Sequence, residues 1–234
     1  MATNYNPSVV TDGLVFCVDA GNSKSYPGSG TSWSSIDSTG VTGTIYGSPV
    51  FTSGNDAHFD FEQATADYVR FERNDLNGGS FAYTQITCEL WYRPSSTGST
   101  GTTGNNLITV ENAFEISVGR VTGGHGIQYA SNPWAWYGTN NPVLTDNEWN
   151  LISFVNTTSG RWIYVNGSQV FTRSDTGSIN VGTTTYPYLT LMGRYSGTGS
   201  QAEGDLACVR LYNRGLSVAE ITQNFEAHRG RFGV

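Results

Sequence analysis

Two stretches of the sequence bring carboxylates close enough together to suggest hydrolytic chemistry. Asp60 and Glu62 lie two residues apart, just after Asp56, so a strand would present Asp60 and Glu62 on one face. Glu111 and Glu115 lie four residues apart, a spacing that a bent strand would separate. A glycoside hydrolase needs two carboxylates that flank the glycosidic bond, about 5.5 Å apart in retaining enzymes. Carboxylates on strand edges are usually solvated, so we predict no enzyme and keep a glycoside hydrolase as an alternative.

The histidines and cysteines form no recognisable catalytic or metal-binding pattern in the sequence. Their spacing yields no Ser–His–Asp or Cys–His arrangement and lacks the Cys/His intervals of a zinc site. An odd number of cysteines in apolar, strand-like contexts predicts buried free thiols, with one disulfide and one free thiol as the alternative. The residues concerned are His58, His125, His228, Cys17, Cys88 and Cys208.

One group of aromatic residues is the best candidate for a ligand-binding site. The aromatic group comprises Tyr129, Trp134, Trp136 and Tyr137, next to Asn140. Aromatic rings stack on sugar rings, and amide side chains bond to sugar hydroxyls, so the group predicts contact with a glycan or a partner surface. The alternative is that these aromatic side chains pack within a sheet or a subunit interface.

The charge balance argues against several classes of partner. The chain carries 12 Lys and Arg residues against 19 Asp and Glu residues, a formal net charge of −7. Nucleic-acid binding needs a basic face, so we predict no nucleic-acid partner. No apolar run approaches the roughly 20 residues needed to span a bilayer, so we predict no membrane insertion. Residues 1–8 lack the apolar core of a signal peptide, which predicts synthesis in the cytoplasm.

A hairpin over residues 147–172 is the clearest structural signal. Trp149 and Leu151 alternate with Asn150 and Ile152, a period of two that predicts a strand, and a second alternating run begins at residue 162. Asn166-Gly167 accepts positive φ at both positions of a type I′ turn, so the chain folds back tightly there. An antiparallel hairpin excludes a doubly wound α/β fold for this region.

Further alternating runs predict more strands on both sides of this hairpin. Residues 59–61 and 68–71 are predicted to pair with each other across the turn between them. In residues 86–93, Ile86, Cys88, Leu90 and Tyr92 fall on one face of a strand. The low-complexity run at 95–104 predicts a mobile surface loop. The remaining predicted strands lie at residues 14–19, 107–110, 114–118, 126–130, 188–192 and 206–212.

One helix is predicted at the C-terminal end. Ser217 and Glu220 form a capping box, with Leu216 and Ile221 spaced as a hydrophobic staple. Ile221 and Phe225, four residues apart, give the apolar stripe of a helix of about ten residues. The basic stretch that starts at His228 is predicted to be a solvated tail, with docking on an acidic neighbour as the alternative.

Together these signals predict an all-β protein: a two-sheet antiparallel jelly-roll sandwich with one short C-terminal helix. We expect an N-terminal arm at residues 1–12, the sandwich domain at 13–228 and a C-terminal tail at 229–234. The chain length of 234 residues is compatible with a single such domain.

Several motifs resemble the laminin-G-like, concanavalin-A-like jelly-roll domains. The final motif, Val209–Ser217 followed by Glu220-Ile221, is the most specific, and the others occur in the same order as in the family. The remaining motifs are Gly13–Val15, Asp19–Asn22, Ser25–Gly28, Trp33, Thr87–Trp91, Trp149 and Tyr164–Gly167.

The resemblance implies two curved sheets. This fold occurs in lectins, glycosidases and virion proteins, so it does not define the function. Glycosidases of this fold carry an E-x-D-x-x-E type of run, which is absent here. The single domain and the Ser25–Gly28 loop look most like structural proteins of tailed bacteriophages. We therefore expect a non-enzymatic virion protein, a capsid decoration, fibre or tail component, made in the host cytoplasm. Its expected partners are other virion proteins, copies of itself and host-surface polysaccharide; a lectin-like carbohydrate-binding module is the alternative.

The resemblance also raises calcium as a candidate cofactor. The family often carries an acidic residue just after the apolar residue that opens the last strand, but this position is Ala207 here. Asp205 lies two residues earlier, and Asp19 is a further candidate oxygen donor. A hard cation needs several oxygen ligands, so we assign no metal ligands.

Overall fold

The structure is a computed structural model, and it describes residues 7–72, 76, 83–96, 105–111, 113–131, 135–174, 187–194 and 200–234. Most of the low-complexity run that was predicted to be a mobile loop, residues 97–104, lies outside these ranges.

The described residues form sixteen strands and one helix. Short, turn-rich strands follow from a sequence with 29 glycines and period-two alternation of apolar residues. The elements are β1 (Leu14–Asp19), β2 (Ser32–Ser34), β3 (Thr42–Tyr46), β4 (Val50–Thr52), β5 (His58–Phe61), β6 (Tyr68–Glu72), β7 (Ile86–Pro94), β8 (Asn106–Val110), β9 (Phe114–Val121), β10 (Gly124–Ser131), β11 (Ala135–Gly138), β12 (Asn150–Thr157), β13 (Gly160–Val165), β14 (Ser168–Arg173), β15 (Tyr188–Leu191), β16 (Gly204–Tyr212) and α1 (Val218–Phe232).

The strands form two antiparallel sheets that pack face to face. Sheet I has the order β14-β13-β12-β7-β16-β5-β4, and β1 also pairs with β16. Sheet II has the order β11-β10-β9-β8-β15-β6-β3-β2. One hydrophobic core lies between the sheets, and α1 packs on the outer face of sheet I. The predicted all-β, two-sheet sandwich with a C-terminal helix is confirmed.

The central hairpin forms as predicted. β12 pairs with β13 in antiparallel register, and β13 pairs with β14 across the turn at Asn166-Gly167. Asn166 has a φ of 51° and Gly167 a φ of 80°, the positive values of a type I′ turn. Asn166 Oδ1 also accepts a hydrogen bond from the backbone N–H of Leu151 at 2.9 Å, which ties the turn back to β12.

The predicted pairing of residues 59–61 with 68–71 is wrong. β5 pairs with β4 and β16 in sheet I, whereas β6 pairs with β3 and β15 in sheet II. The turn between them carries the chain from one sheet to the other. Asp67 stabilises it, because its carboxylate accepts hydrogen bonds from the N–H groups of Ser48 (2.7 Å) and Glu62 (3.1 Å).

Strand β7 crosses the middle of sheet I and divides its side chains between two environments. Cys88 and Leu90 belong to the core between the sheets, on the face that the sequence predicts. Trp91, on the opposite face, packs under α1. The three cysteines are buried free thiols, as the sequence predicts.

Helix α1 begins as the capping box predicts but is longer than ten residues. Ser217 is the N-cap, and its hydroxyl and the Glu220 side chain form both hydrogen bonds of the box. The helix has 15 residues and runs past His228, where the tail was predicted to start. The apolar stripe extends to Phe232, whose ring centroid lies 4.2 Å from Trp91 and 4.9 Å from Trp149. This contact holds the last turn on the sheet.

A buried polar network lies beneath α1. Glu89 and Arg210 are both buried, with 3.6 Å between Glu89 Oε2 and Arg210 Nη1. Asn224 Nδ2 donates to Glu89 Oε2 at 2.9 Å, and Arg210 Nη2 donates to His228 Nδ1 at 2.7 Å. Burial and the adjacent Arg210 guanidinium lower the pKa of His228 to about 3. The imidazole is therefore neutral and acts as an acceptor for Arg210.

Phe232→Ala is expected to lower the free energy of unfolding by about 3 kcal/mol, because it removes a buried ring that packs on two tryptophans. Val218→Ala serves as the control, since Val218 is on the same helix but 56% exposed. Denaturant unfolding measures both variants. Equal stabilities would show that the end of the helix does not pack on sheet I.

His228 is expected to make stability fall as the pH falls from about 6.5 towards 3. The unfolded chain takes up a proton at His228 in this window and the folded chain does not, so acid favours the unfolded state. His228→Gln keeps an acceptor for Arg210 but does not titrate. Between pH 6 and pH 5, the free energy of unfolding should fall less steeply in the variant than in the wild type. The two slopes should differ by up to about 1.4 kcal/mol per pH unit. Identical slopes would contradict the account.

Candidate functional site

A polar cavity of about 320 Å³ lies on the outer face of sheet I, near the C-terminal end of α1. Its chemistry comes from three carboxylates, one guanidinium and one imidazole. These are the side chains of Asp60, Glu62, Asp205, Arg93 and His58.

Three neighbouring strands place Asp60, Asp205 and Arg93 in one row. Asp205 on β16 is the Cα partner of Asp60 on β5 and of Arg93 on β7. Phe59 and Leu206 point into the core, so the residues next to them in each strand face outwards. Apolar residues that face the core therefore alternate with charged residues that line the cavity on the opposite side of the same sheet.

Asp205 is held by Arg93 and lies next to His58. Arg93 Nε donates to Asp205 Oδ2 at 2.5 Å, and His58 Nε2 lies 3.5 Å from Asp205 Oδ1. His58 Nδ1 lies 2.7 Å from the carbonyl oxygen of Asp56, so Nδ1 carries the proton that this bond requires. The Arg93 guanidinium also stacks over the ring of Trp149, 5.0 Å from its centroid. These contacts fix the Arg93–Asp205 pair in one orientation.

Asp60 is different, because its carboxylate has no hydrogen-bond or ion-pair partner within the described part of the chain. Partial burial raises the pKa of Asp60, and the neighbouring Asp205 raises it further. The pKa of Glu62 is also raised, by burial and by Glu203. The cavity therefore presents one carboxylate neutralised by Arg93 beside others whose acceptor oxygens are available to a ligand.

The structure divides the predicted aromatic group between two environments. Tyr129 is 0% exposed and packs in the core, 4.8 Å from the ring of Phe154. Tyr137 is its partner on β11 and packs against the same core. Trp136 pairs with Ala130, so it lies on the outer face of sheet II and is half-buried. Trp134 lies outside the described residues.

The other predicted residues lie apart from the cavity. Glu115 is 2% exposed and forms an ion pair with Arg194 at 2.7 Å. Glu111 follows the end of β8. His125 Nδ1 lies 2.9 Å from Asp146 Oδ1. Among the sequence-based candidates that fall in the described ranges, the cavity brings together Asp60, Glu62 and His58, and also Asp205, which was considered only for calcium.

The residues considered for calcium do not form a site for it. Asp19 pairs with Arg231 at 2.8 Å, and Asp205 pairs with Arg93, so both carboxylates already have cationic partners. Across the described ranges, no group of three or more His, Cys, Asp or Glu side chains is arranged to hold a metal ion.

The family of the chain follows from its sequence and agrees with the fold. Residues 63–222 match the laminin-G-type model of the concanavalin A-like lectin/glucanases superfamily. The match covers more than half of the sequence, so the chain belongs to this family. No curated protein matches the sequence. The resemblance to laminin-G-like domains is thereby confirmed at the level of the family.

Several solved structures share the fold at low sequence identity. Domain 4 of AbnA, an extracellular arabinanase from Geobacillus stearothermophilus solved in complex with arabinotriose, superimposes with a TM-score of 0.64 and 16% identity, covering 90% of this chain and 97% of that domain. The binding domain of Paraclostridial Mosquitocidal Protein 1 gives 0.63 and 14%, over 91% of this chain and 52% of that one. The binding domain of botulinum neurotoxin DC in complex with SialylT gives 0.61 and 11%, over 92% and 51%. This chain thus spans about half of each toxin domain, and the likeness shows a common fold.

Sequence reasoning missed Arg93 as a site residue, and it considered Asp205 only as an oxygen donor for calcium. Both alternate with core residues, which indicates an outward-facing side chain but not which neighbours it meets. Their meeting depends on the order β5-β16-β7, in which strands distant in sequence become neighbours. One local signal was available, because Arg93 and Asp205 are charged residues next to the core residues Tyr92 and Leu206.

Asp205→Asn is expected to lower the pKa of Asp60, because it removes a neighbouring negative charge and frees Arg93 to approach Asp60. Carboxyl-carbon NMR titration of Asp60 in both proteins measures this change. Asp12→Asn, which alters an exposed pair with Arg214 before the N-terminal end of α1, is the control and should leave Asp60 unchanged. A pKa of Asp60 that is unaffected by Asp205→Asn would show that the two carboxylates do not interact.

Proposed function

We propose that this protein is a non-enzymatic carbohydrate-binding module and that the cavity on sheet I binds its glycan. One observation carries the proposal: the Asp60 carboxylate faces a cavity beside the rigid Arg93–Asp205 pair, with no partner of its own in the described chain. Sugar hydroxyls act as both donors and acceptors. They therefore fit a site that presents free carboxylate oxygens next to a fixed guanidinium.

The dimensions and charge of the cavity suggest what part of a glycan it takes. Its volume of about 320 Å³ is at the lower end of ligand pockets, which suits a short saccharide segment. Three carboxylates against one guanidinium leave an excess of negative charge. An anionic sugar would be repelled, so the expected ligand at this site is a neutral saccharide.

The structural neighbours support a saccharide as the class of ligand. The arabinanase domain, which this chain matches over almost the whole of that domain, was solved with arabinotriose. Low identity means that its binding residues cannot be transferred, so the residues proposed here come from the cavity itself. Trp136, on the outer face of sheet II, stays a predicted contact for a glycan or a partner surface.

A second candidate function, glycoside hydrolysis, is favoured by one feature of the same cavity. Asp60 and Asp205 are neighbours in different electrostatic environments, one with a raised pKa and one paired with Arg93. An acid and a base of a hydrolase differ in this way. Release of reducing sugar from a bound oligosaccharide would establish this second function in place of the first.

The expected location in a phage particle also stays a proposal. It rests on the motif resemblance, and a carbohydrate-binding domain on a capsid, fibre or tail would attach the particle to host-surface polysaccharide. Mass spectrometry of purified virions tests it, since absence of this chain from particles would remove that location.

Asp60→Asn is expected to weaken binding of a neutral oligosaccharide at least about tenfold, because hydrogen bonds to a charged group are the strong ones in such a site. A panel of neutral oligosaccharides would first identify a ligand, and calorimetry would then compare the two proteins. Glu226→Gln is the matched control: it removes the same charge from a half-exposed position on α1. Unchanged affinity in Asp60→Asn, or no binding of any neutral saccharide by the wild type, would overturn the proposal.

A further inference from the structure

The outer face of sheet II carries an arginine enclosed by tyrosines. β6 lies between β3 and β15, and Arg70 at its centre has Thr44 and Thr190 as cross-strand partners. Tyr46 and Tyr68 stack on each other with centroids 4.6 Å apart and an interplanar angle of 10°. Tyr188 extends from β15 on the same face.

The tyrosine rings hold the guanidinium in a defined position. The Cζ atom of Arg70 lies 4.9 Å from the centroid of Tyr46, 5.4 Å from Tyr68 and 4.5 Å from Tyr188. Arg70 Nη2 also donates a hydrogen bond to the hydroxyl of Tyr68 at 2.9 Å. A guanidinium fixed in this way loses little further freedom when it binds a ligand.

Within the described part of the chain, the charge of Arg70 has no carboxylate counter-ion. No carboxylate of the described residues forms an ion pair with it, although the chain has a net charge of −7. Glu72 is two residues along the same strand, but it too forms no ion pair in the described structure. Other arginines discussed above each lie next to a carboxylate: Arg93, Arg194, Arg210 and Arg231. Arg70 thus stands as a rigid cation that a negatively charged ligand would neutralise.

Two buried polar atoms at this place have no hydrogen-bond partner in the described structure. They are Arg70 Nε and the hydroxyl of Thr190, a residue that is 0% exposed. Leaving a buried donor unsatisfied is unfavourable, and such atoms call for an explanation. Tyr46 is 37% exposed beside them, so part of its side chain can contact a ligand at the same place.

We propose that Arg70 and its three tyrosines form a second binding site, which takes a carboxylate-bearing sugar such as a uronic acid residue. Arginine binds a carboxylate through two parallel hydrogen bonds, and the exposed part of Tyr46 offers an apolar contact and a hydroxyl to the sugar ring. The acidic cavity on sheet I repels the same ligand. The two sites would therefore recognise different units of a polysaccharide that mixes neutral and acidic sugars.

The proposed Arg70 site rests on the proposed function only for the class of ligand, a saccharide. Binding at this site and binding in the cavity on sheet I can be tested separately. Calorimetry with a trigalacturonate and with a neutral galactose trisaccharide measures both sites. The wild type should bind the trigalacturonate, Arg70→Gln should weaken that binding at least about tenfold, and Asp60→Asn should leave it intact. Arg70→Lys keeps the charge but not the paired hydrogen bonds, so it should also bind several-fold more weakly.

An NMR measurement on the wild type tests the site even if the Arg70 variants do not fold. The Nε–H signal of Arg70 in the NMR spectrum should shift on addition of trigalacturonate and stay in place with the neutral trisaccharide. Trigalacturonate binding that is unchanged in Arg70→Gln, or no response of the wild type to it, would overturn this site while leaving the cavity on sheet I untouched. If the wild type binds trigalacturonate but no neutral saccharide, the proposed role of the cavity on sheet I is wrong and the proposal for Arg70 is unaffected.

Discussion

The packing of Phe232 on Trp91 and Trp149 determines which part of sheet I is covered and which stays open. Helix α1 buries the apolar side chains of the outer face up to this contact. The row of Asp60, Asp205 and Arg93 lies nearby, where charged groups keep access to water. The same sheet therefore has an apolar region that anchors the helix and a polar region shaped as a cavity.

Local patterns predicted most elements of the fold, but they missed the short strands β2, β3, β4 and β11 and did not give all of the pairings. The Asn166-Gly167 turn and the Ser217 cap are each determined by two to four adjacent residues, and both form as the sequence indicates. The pairing of β5 and β6 was predicted wrongly, because a short connection usually joins neighbouring strands. Here Asp67 stabilises a turn that moves the chain to the other sheet. The choice depends on the two sheets as a whole, which a local pattern does not encode.

The candidate site could be predicted only in part for the same reason. Alternation placed Asp60 and Glu62 on one face, and that is where they lie. Arg93 and Asp205 join them through strand neighbours that are far apart in the sequence. The aromatic group shows the opposite error, because residues close in the sequence were predicted to form one site. In the structure, β10 and β11 place Tyr129 in the core and Trp136 on the outer face of sheet II.

A crystal structure of the protein with a bound neutral oligosaccharide tests the central claim most directly. We predict a sugar unit in the cavity on sheet I, with one hydroxyl donating to the Asp60 carboxylate and another accepting from Arg93. A saccharide bound elsewhere, with this cavity containing only solvent, would contradict it.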